Sequence, residues 1–266
     1  MNLSQVDFGR LYREQMQLTP REREPEYWDR RAPAMSDGEF TSTYVRQFID
    51  RMDLTDCKTL LDVGCGPGTI SLTVAERLEH VYGLDYCPGM LAAFVQNARL
   101  RGLTGATPIL RGWNDDWADV PMCDVAVASR STAVPDLEAA ILKLESKARR
   151  RVYLSYPADG RLGGDDIREV IGRTSQSLPD YLCVIGILHH LGVYPTLTYL
   201  PAKSRFADCS GLASFCAKVI EVLGDVTLDE VARLRTYFDT HRDAIVRESM
   251  RWALFSWEPR PPATER

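Results

Sequence analysis

The sequence predicts an α/β fold: a mainly parallel sheet with helices on both faces, an N-terminal helical cap and a helical insertion late in the chain. Three observations carry this expectation. Short apolar runs alternate with helix-period segments through the middle of the chain. A glycine-rich turn joins the first of those runs to the helix after it. Beyond the alternating region, two further segments carry apolar stripes at helical spacing.

The strands read in order as Thr59–Val63, Val81–Leu84, Thr107–Leu110, Asp124–Ala128 and Arg151–Tyr156. Between the first two, Ile70, Val74 and Leu78 recur four apart on one helix face. Pro88 opens the next helix, with Leu91, Phe94, Val95 and Ala98 on its apolar side. Leu137, Ala140, Ile141 and Leu144 stripe the helix before the fifth strand. Strands and helices alternating at this length imply right-handed crossovers and a parallel sheet.

Both ends break the rhythm. Ser36-Asp37-Gly38-Glu39 reads as a capping box opening a helix to about Met52, with Phe40, Tyr44 and Phe48 on one side. Helices are also expected at Asp165–Ile171 and Pro179–Leu191, and a sixth strand at Thr196–Leu200. Then come a helix carrying Leu212, Phe215, Cys216, Val219, Ile220 and Leu223, and one opened by Thr227–Glu230. Trp252–Trp257 is expected to close the sheet as an antiparallel edge strand. The domain reading is 1–52 as a cap, 53–160 as an α/β core, and 161–266 completing the sheet with a substrate-side helical insertion.

A chain of 266 residues, 45% hydrophobic and 26% charged, is long enough to bury a core without disulfide or metal support. A net charge of −5 argues against a protein that coats nucleic acid or an anionic membrane. The early charges Asp7, Arg10, Arg13 and Glu14 do not fit a signal peptide. The longest apolar run, Tyr181–Leu188, is too short to span a membrane. Seven cysteines without a CxxC pair suggest reduced thiols, and a cytoplasmic location is expected.

Leu61-Asp62-Val63-Gly64-Cys65-Gly66-Pro67-Gly68 follows the first strand, and Asp85 ends the second. Glycines in such a turn let the backbone approach a ligand at the carboxyl end of a sheet. A carboxylate at the next strand's end can accept hydrogen bonds from a ribose diol. The spacing is GxGxG rather than the dinucleotide GxGxxG, and Asp62 beside it would repel a pyrophosphate. A cationic ligand suits the turn better.

In these residues the chain resembles the class I S-adenosylmethionine-dependent methyltransferases, whose first motif commonly reads as Asp62–Gly68 does. Leu84-Asp85-Tyr86-Cys87-Pro88-Gly89-Met90-Leu91 looks like that family's second motif. Within the family the resemblance is to small-molecule enzymes such as the ubiquinone/menaquinone biosynthesis methyltransferases, over about Tyr27 to Tyr156. It implies a Rossmann-like fold and S-adenosyl-L-methionine as cofactor. It further implies that Gly64, Cys65 and Gly66 line the methionine part, with Asp62 near its ammonium group. Asp85 would hold the ribose, Tyr86 and Met90 would flank the adenine, and Trp28 would belong to a lid. Where the family often has an acid after the third strand, this chain has Trp113. Asn114 or Asp115 is then expected to take the adenine amino group while Trp113 stacks. Ser129 and Arg130 fall at the rim where cofactor and acceptor meet.

After the fourth strand the chain reads Ala128-Ser129-Arg130-Ser131-Thr132, without the Pro-Pro-aromatic grip of base methyltransferases. A small-molecule acceptor is therefore expected, with no nucleic acid, membrane or metal, in a monomer or homodimer. Lys147–Arg151 is a basic run between a helix and a strand, with a solvated surface as its ordinary reading. For the chemistry, His189, His190 and Tyr156 are candidate bases, and Arg130 a candidate for orienting an anionic acceptor. Positioning is expected to outweigh base catalysis. The competing readings are a cofactor-binding regulator without chemistry and a nicotinamide-dependent oxidoreductase.

Overall fold

The computed structural model describes residues 5–18, 25–30, 32, 40–158, 165–174, 178–203, 206–207, 209–247 and 249–260. Its centre is one seven-stranded sheet in the order β3-β2-β1-β4-β5-β7-β6. The strands are β1 (Thr59–Val63), β2 (His80–Asp85), β3 (Ala106–Leu110), β4 (Cys123–Ala128), β5 (Ala148–Pro157), β6 (Thr196–Lys203) and β7 (Ser249–Trp257). β1 to β5 pair in parallel, while β7 runs antiparallel to both β5 and β6. The closing strand was expected at an edge, but β7 lies inside the sheet and β6 forms the edge. Its residues explain this: Trp252, Ala253, Leu254 and Phe255 are all buried, so both faces need cover.

The helices are α1 (Phe8–Leu18), α2 (Pro25–Asp29), α3 (Thr43–Ile49), α4 (Ser71–Val74), α5 (Pro88–Leu100), α6 (Leu137–Glu145), α7 (Asp165–Val170), α8 (Tyr181–His190), α9 (Leu212–Leu223) and α10 (Leu228–Arg247). One face of the sheet is covered by α1, α6 and α8, which bring Tyr12, Met16, Leu137, Ile141, Val184 and Ile187 against Leu61, Leu84 and Leu154. The other is covered by α3, α4 and α5, through Tyr44, Phe48, Val74, Leu91 and Phe94 against Leu60, Val81 and Val125. A separate small core joins Ile167, Phe206, Phe215, Val219, Leu234 and Phe238 in the late helices.

Two helices differ from expectation. The capping-box residues 36–39 lie outside the described residues, and α3 starts at Thr43 with Ser42 as its cap, whose hydroxyl accepts from the Val45 N–H at 3.2 Å. After the glycine turn, α4 is a single turn followed by a 3₁₀ turn at Ala75–Arg77. Ile70 offers no side-chain cap there, and Thr73 bonds back to the Thr69 carbonyl at 2.8 Å, which competes with regular helix. By contrast, the Thr227/Glu230 box forms in both directions, at 2.7 Å and 3.3 Å. The basic run Lys147–Arg151 falls largely within β5 rather than in a turn.

Candidate active site

Parallel strands leave their carboxyl ends on one edge, and the glycine turn follows β1 there. The turn is pinned to β2: the N–H groups of Gly64 and Cys65 donate to the Leu84 carbonyl at 2.7 and 3.1 Å. Gly64, Gly66 and Gly68 all have positive φ, which L side chains resist. A Cβ on Gly64 would stand 2.3 Å from the Ser131 Cβ, so the turn and the β4 exit are in direct contact. A Cβ on Gly66 would meet only the Met90 sulfur, at 3.8 Å. Packing leaves the space beside Gly66 clear for a ligand.

Asp85 closes the other side of the turn. Its Oδ2 accepts from the Gly66 N–H at 2.8 Å and its Oδ1 from the Cys87 N–H at 2.9 Å. Burial raises its pKa, against the pull of those backbone bonds. A carboxylate has about four acceptor sites, so capacity remains for a hydroxyl. Asp62 is buried at 2% exposure, and its Oδ2 accepts from the Ser71 hydroxyl at 2.7 Å and the Ser71 N–H at 3.3 Å. Burial pushes its carboxyl up to about 6, with the Ser71 bonds opposing. The Cys65 sulfur packs close to the Gly83 backbone, where a Cβ would lie 2.9 Å from it, and its thiol donates to the Gly66 carbonyl at 3.4 Å. Burial holds that thiol well above its ordinary range, so it stays protonated rather than acting as a nucleophile.

Met90 is buried in a small cluster with Ala32 and Cys87, against which Trp28 packs. Tyr86 is half-exposed beside Gly112. Trp113 donates its indole N–H to the Ser131 carbonyl at 2.9 Å and tilts against Trp117, so part of the ring is already engaged. Asp115 folds back on its own loop, accepting from the Gly112 N–H at 2.6 Å, while Asn114 is exposed.

Beyond β4 lies a group that sequence reasoning missed. The Tyr44 hydroxyl hydrogen-bonds both Ser129 Oγ at 2.9 Å and Ser155 Oγ at 2.7 Å. Ser155 Oγ also accepts the Arg130 N–H at 2.9 Å, and Ser131 Oγ donates to the Val63 carbonyl at 2.6 Å. Tyr44 was visible only as part of an apolar stripe on α3. Asp29, whose Oδ1 accepts the Gly89 N–H at 2.8 Å, was hidden in a charged stretch.

The three candidate bases do not join this cluster. Tyr156 is fully buried on the α1 face, its ring 6.3 Å from that of Tyr12, with their hydroxyls facing each other. Its alternation on β5 sends it into the core rather than into the cleft. His189 and His190 end α8, which precedes β6 and so finishes at the amino edge of the sheet. Arg260 marks that edge, joining the Leu191 carbonyl at 3.0 Å to Glu145, just before β5. The imidazoles are therefore at the far end from the turn.

The glycine turn with its clear space at Gly66 and an acid at the end of β2 suits S-adenosylmethionine, and sequence kinship agrees. The methyltransferase-domain family matches residues 60–146. An uncharacterized protein of Haemophilus influenzae is 30% identical over 263 residues, spanning 97% of this chain and 98% of its own. The chain belongs to the class I S-adenosylmethionine-dependent methyltransferases. This methyltransferase also shares its fold with the magnesium protoporphyrin IX methyltransferase of Synechocystis, solved with S-adenosylhomocysteine bound. The TM-score is 0.58 at 15% identity, covering 96% of this chain and all of that one, 100%. An uncharacterized RNA methyltransferase of Halalkalibacterium halodurans is 32% identical over 126 residues, 44% of this chain but only 26% of its own length. The cofactor of the methyltransferase is S-adenosyl-L-methionine.

Proposed function

We propose that this methyltransferase acts on a small-molecule acceptor, and that it works mainly by holding the acceptor in line with the methyl group. The observation that carries the reading is Tyr44. Its buried hydroxyl ties the first turn of α3 to Ser129 and Ser155, at the exits of β4 and β5. In this reading α3 bounds the acceptor side, an enclosure that suits a compact acceptor better than a folded RNA. The basic run supports this: Lys147 donates to the carbonyls of Trp117 and Val120, and Arg151 pairs with Asp53 at 2.5 Å. These cations brace the amino edge of the sheet, away from the turn.

The chemistry supplied by the cofactor when bound is a methyl carbon activated by a positively charged sulfur. In this reading Gly64, Cys65 and Gly66 offer backbone groups to its methionine part, and Asp62 supplies negative charge behind them. Asp85 accepts from the ribose. Tyr86, Met90, Trp113, Asn114 and Asp115 surround the adenine, and Trp28 with Asp29 brings α2 over it. Ser129 and Arg130 face the acceptor. The fold then supplies alignment and exclusion of water, which lower a displacement barrier without a covalent step.

Incubating the protein with methyl-labelled cofactor and a cell extract tests the reading. Label is expected in a filtrate of small metabolites, insensitive to ribonuclease. Label confined to ribonuclease-sensitive polymer would assign the acceptor to RNA instead.

A further inference from the structure

We infer that Ser129 selects the acceptor: its hydroxyl is a set hydrogen-bond donor, so the acceptor presents an accepting oxygen to it, a carbonyl or carboxylate. This deepens the small-molecule reading and rests on it. The direction follows from the protons of a buried hydroxyl chain. Ser155 is fully buried, and its Oγ is bonded to the Arg130 N–H at 2.9 Å and the Tyr44 hydroxyl at 2.7 Å. The amide can only donate, so Tyr44 is the one acceptor, among the described residues, for the Ser155 proton. The reverse direction would bury that proton without a partner. Tyr44 then gives its own proton to Ser129 Oγ, at 2.9 Å. Burial raises the Tyr44 pKa, so the phenol keeps a proton to give. Ser129 Oγ accepts it, and the Ser129 proton has no partner among the described residues.

The fold fixes every oxygen of the chain. Arg130 has φ +58, a region that a long side chain rarely adopts, and that strain is held where its N–H meets Ser155. Thr132 Oγ1 donates to the Ser155 carbonyl at 2.8 Å, pinning the same residue from its backbone. The Tyr44 ring is held by Phe48 and Trp252, at centroid distances of 6.0 and 5.8 Å, and the Arg130 guanidinium carbon stands 4.7 Å from its centre. Donation in one direction polarises each hydroxyl in turn, which strengthens the last donor. The position is right for an acceptor. Ser129 is half-buried just past β4, and Ser131, two residues on, touches Gly64 of the turn. A ligand group that only donates would leave the Ser129 proton unanswered.

The test measures binding to protein saturated with S-adenosylhomocysteine, by ligand-observed NMR. The probes are acetophenone and benzoate, whose oxygens only accept, and α-methylstyrene, which has the shape of acetophenone without the oxygen. Ser129→Ala should weaken acetophenone or benzoate by about fivefold, the order for one neutral hydrogen bond, and leave α-methylstyrene within about twofold. Which of the two loses affinity separates carbonyl from carboxylate. With carbonyl-labelled probe, the downfield carbon shift of the bound state should vanish in Ser129→Ala and return in Ser129→Thr, which restores the hydroxyl. S-adenosylhomocysteine affinity is expected to stay unchanged in both variants. Equal losses for all three probes, no loss for any, or no recovery in Ser129→Thr would each overturn the inference. A Ser129→Ala variant that binds S-adenosylhomocysteine less well would overturn it too, by giving the donor to the cofactor. If the parent protein bound none of the probes, the small-molecule reading beneath the inference would fall with it.

Discussion

Asp29 caps a helix to which it does not belong: its Oδ1 accepts the N–H of Gly89 at 2.8 Å, in the first turn of α5. The helix's own cap residue, Cys87, makes no side-chain cap bond, and its thiol donates to the same Asp29 oxygen at 2.9 Å. Gly89 is required for this approach, because a Cβ there would fall 2.3 Å from the carboxylate oxygen. The contact holds α2 beside Met90 and Cys87, next to the proposed adenine position.

Removing a helix cap costs about 1 kcal/mol. Asp29→Ala is therefore expected to lower stability by about that amount and to weaken S-adenosylhomocysteine binding, because α2 loses its anchor. Chemical denaturation and calorimetry on the same variant measure the two effects. Stability lost with affinity unchanged would mean that α2 does not close over the cofactor.

Asp85 supports a sharper expectation. Asp85→Ala should weaken cofactor binding by about 2–3 kcal/mol, the order for a lost charged hydrogen-bond acceptor. Gly66 would also lose the partner for its N–H, so part of the effect is a loosened turn. An Asp85→Asn variant keeps one acceptor oxygen and should lie between the two. Equal affinity across all three would remove Asp85 from the ribose.

The buried carboxyl of Asp62 sets a pH dependence. Burial raises its pKa from 3.8 to about 6 in the folded chain. Between those values the folded state keeps a proton that the unfolded state has lost, so stability falls as pH rises through the window. Above about pH 6 the full penalty applies, at most about 3 kcal/mol. Asp62→Asn is expected to be more stable than the parent at pH 7.5, with the difference closing toward pH 4, while binding S-adenosylhomocysteine less well. A variant destabilised at pH 7.5 would show that the Ser71 bonds outweigh the desolvation.

Much of this arrangement was legible in the sequence, and the reason is local. β1 and β2 were readable because an apolar run of strand length ends in a turn or a carboxylate, and α5 because Pro88 fixes its first turn. The partnerships across the fold were not. Tyr44 and Ser155 are 111 residues apart, and Asp29 and Gly89 are 60 apart, so no periodicity connects them. Tyr44 looked apolar because its helix buries it; its hydroxyl gained a role only once β4 and β5 ended beneath it. The histidines had a readable signal that was missed. A helix leading into a parallel strand must end at the amino edge, which removes its last residues from the ligand edge.

The hydroxyl of Tyr44 is expected to matter to rate more than to cofactor affinity. Tyr44→Phe keeps the ring under Arg130 but leaves Ser129 and Ser155 without their shared partner, at a cost of about 1–3 kcal/mol in stability. With any acceptor found by labelling, turnover should fall while the S-adenosylhomocysteine dissociation constant stays within about twofold. Unchanged turnover in a destabilised variant would confine Tyr44 to the scaffold.

The last expectation concerns base catalysis. Removing a true general base costs about 100-fold or more in rate. His189 and His190 sit at the amino edge beside Leu191, so His189→Ala and His190→Ala should each retain turnover within a few-fold of the parent at neutral pH. Tyr156 is different in kind: its hydroxyl lies in the core against Tyr12, whose phenol is itself held neutral by burial. Tyr156→Phe should therefore lower stability by about 1 kcal/mol and still keep at least about a hundredth of parental turnover. The distinguishing measurement is the pH profile of kcat/KM for each variant alongside the parent. If one of the three lost more than about 100-fold in rate together with a titration near neutrality, and its cofactor affinity were intact, that residue would be the base and alignment alone would not explain the reaction.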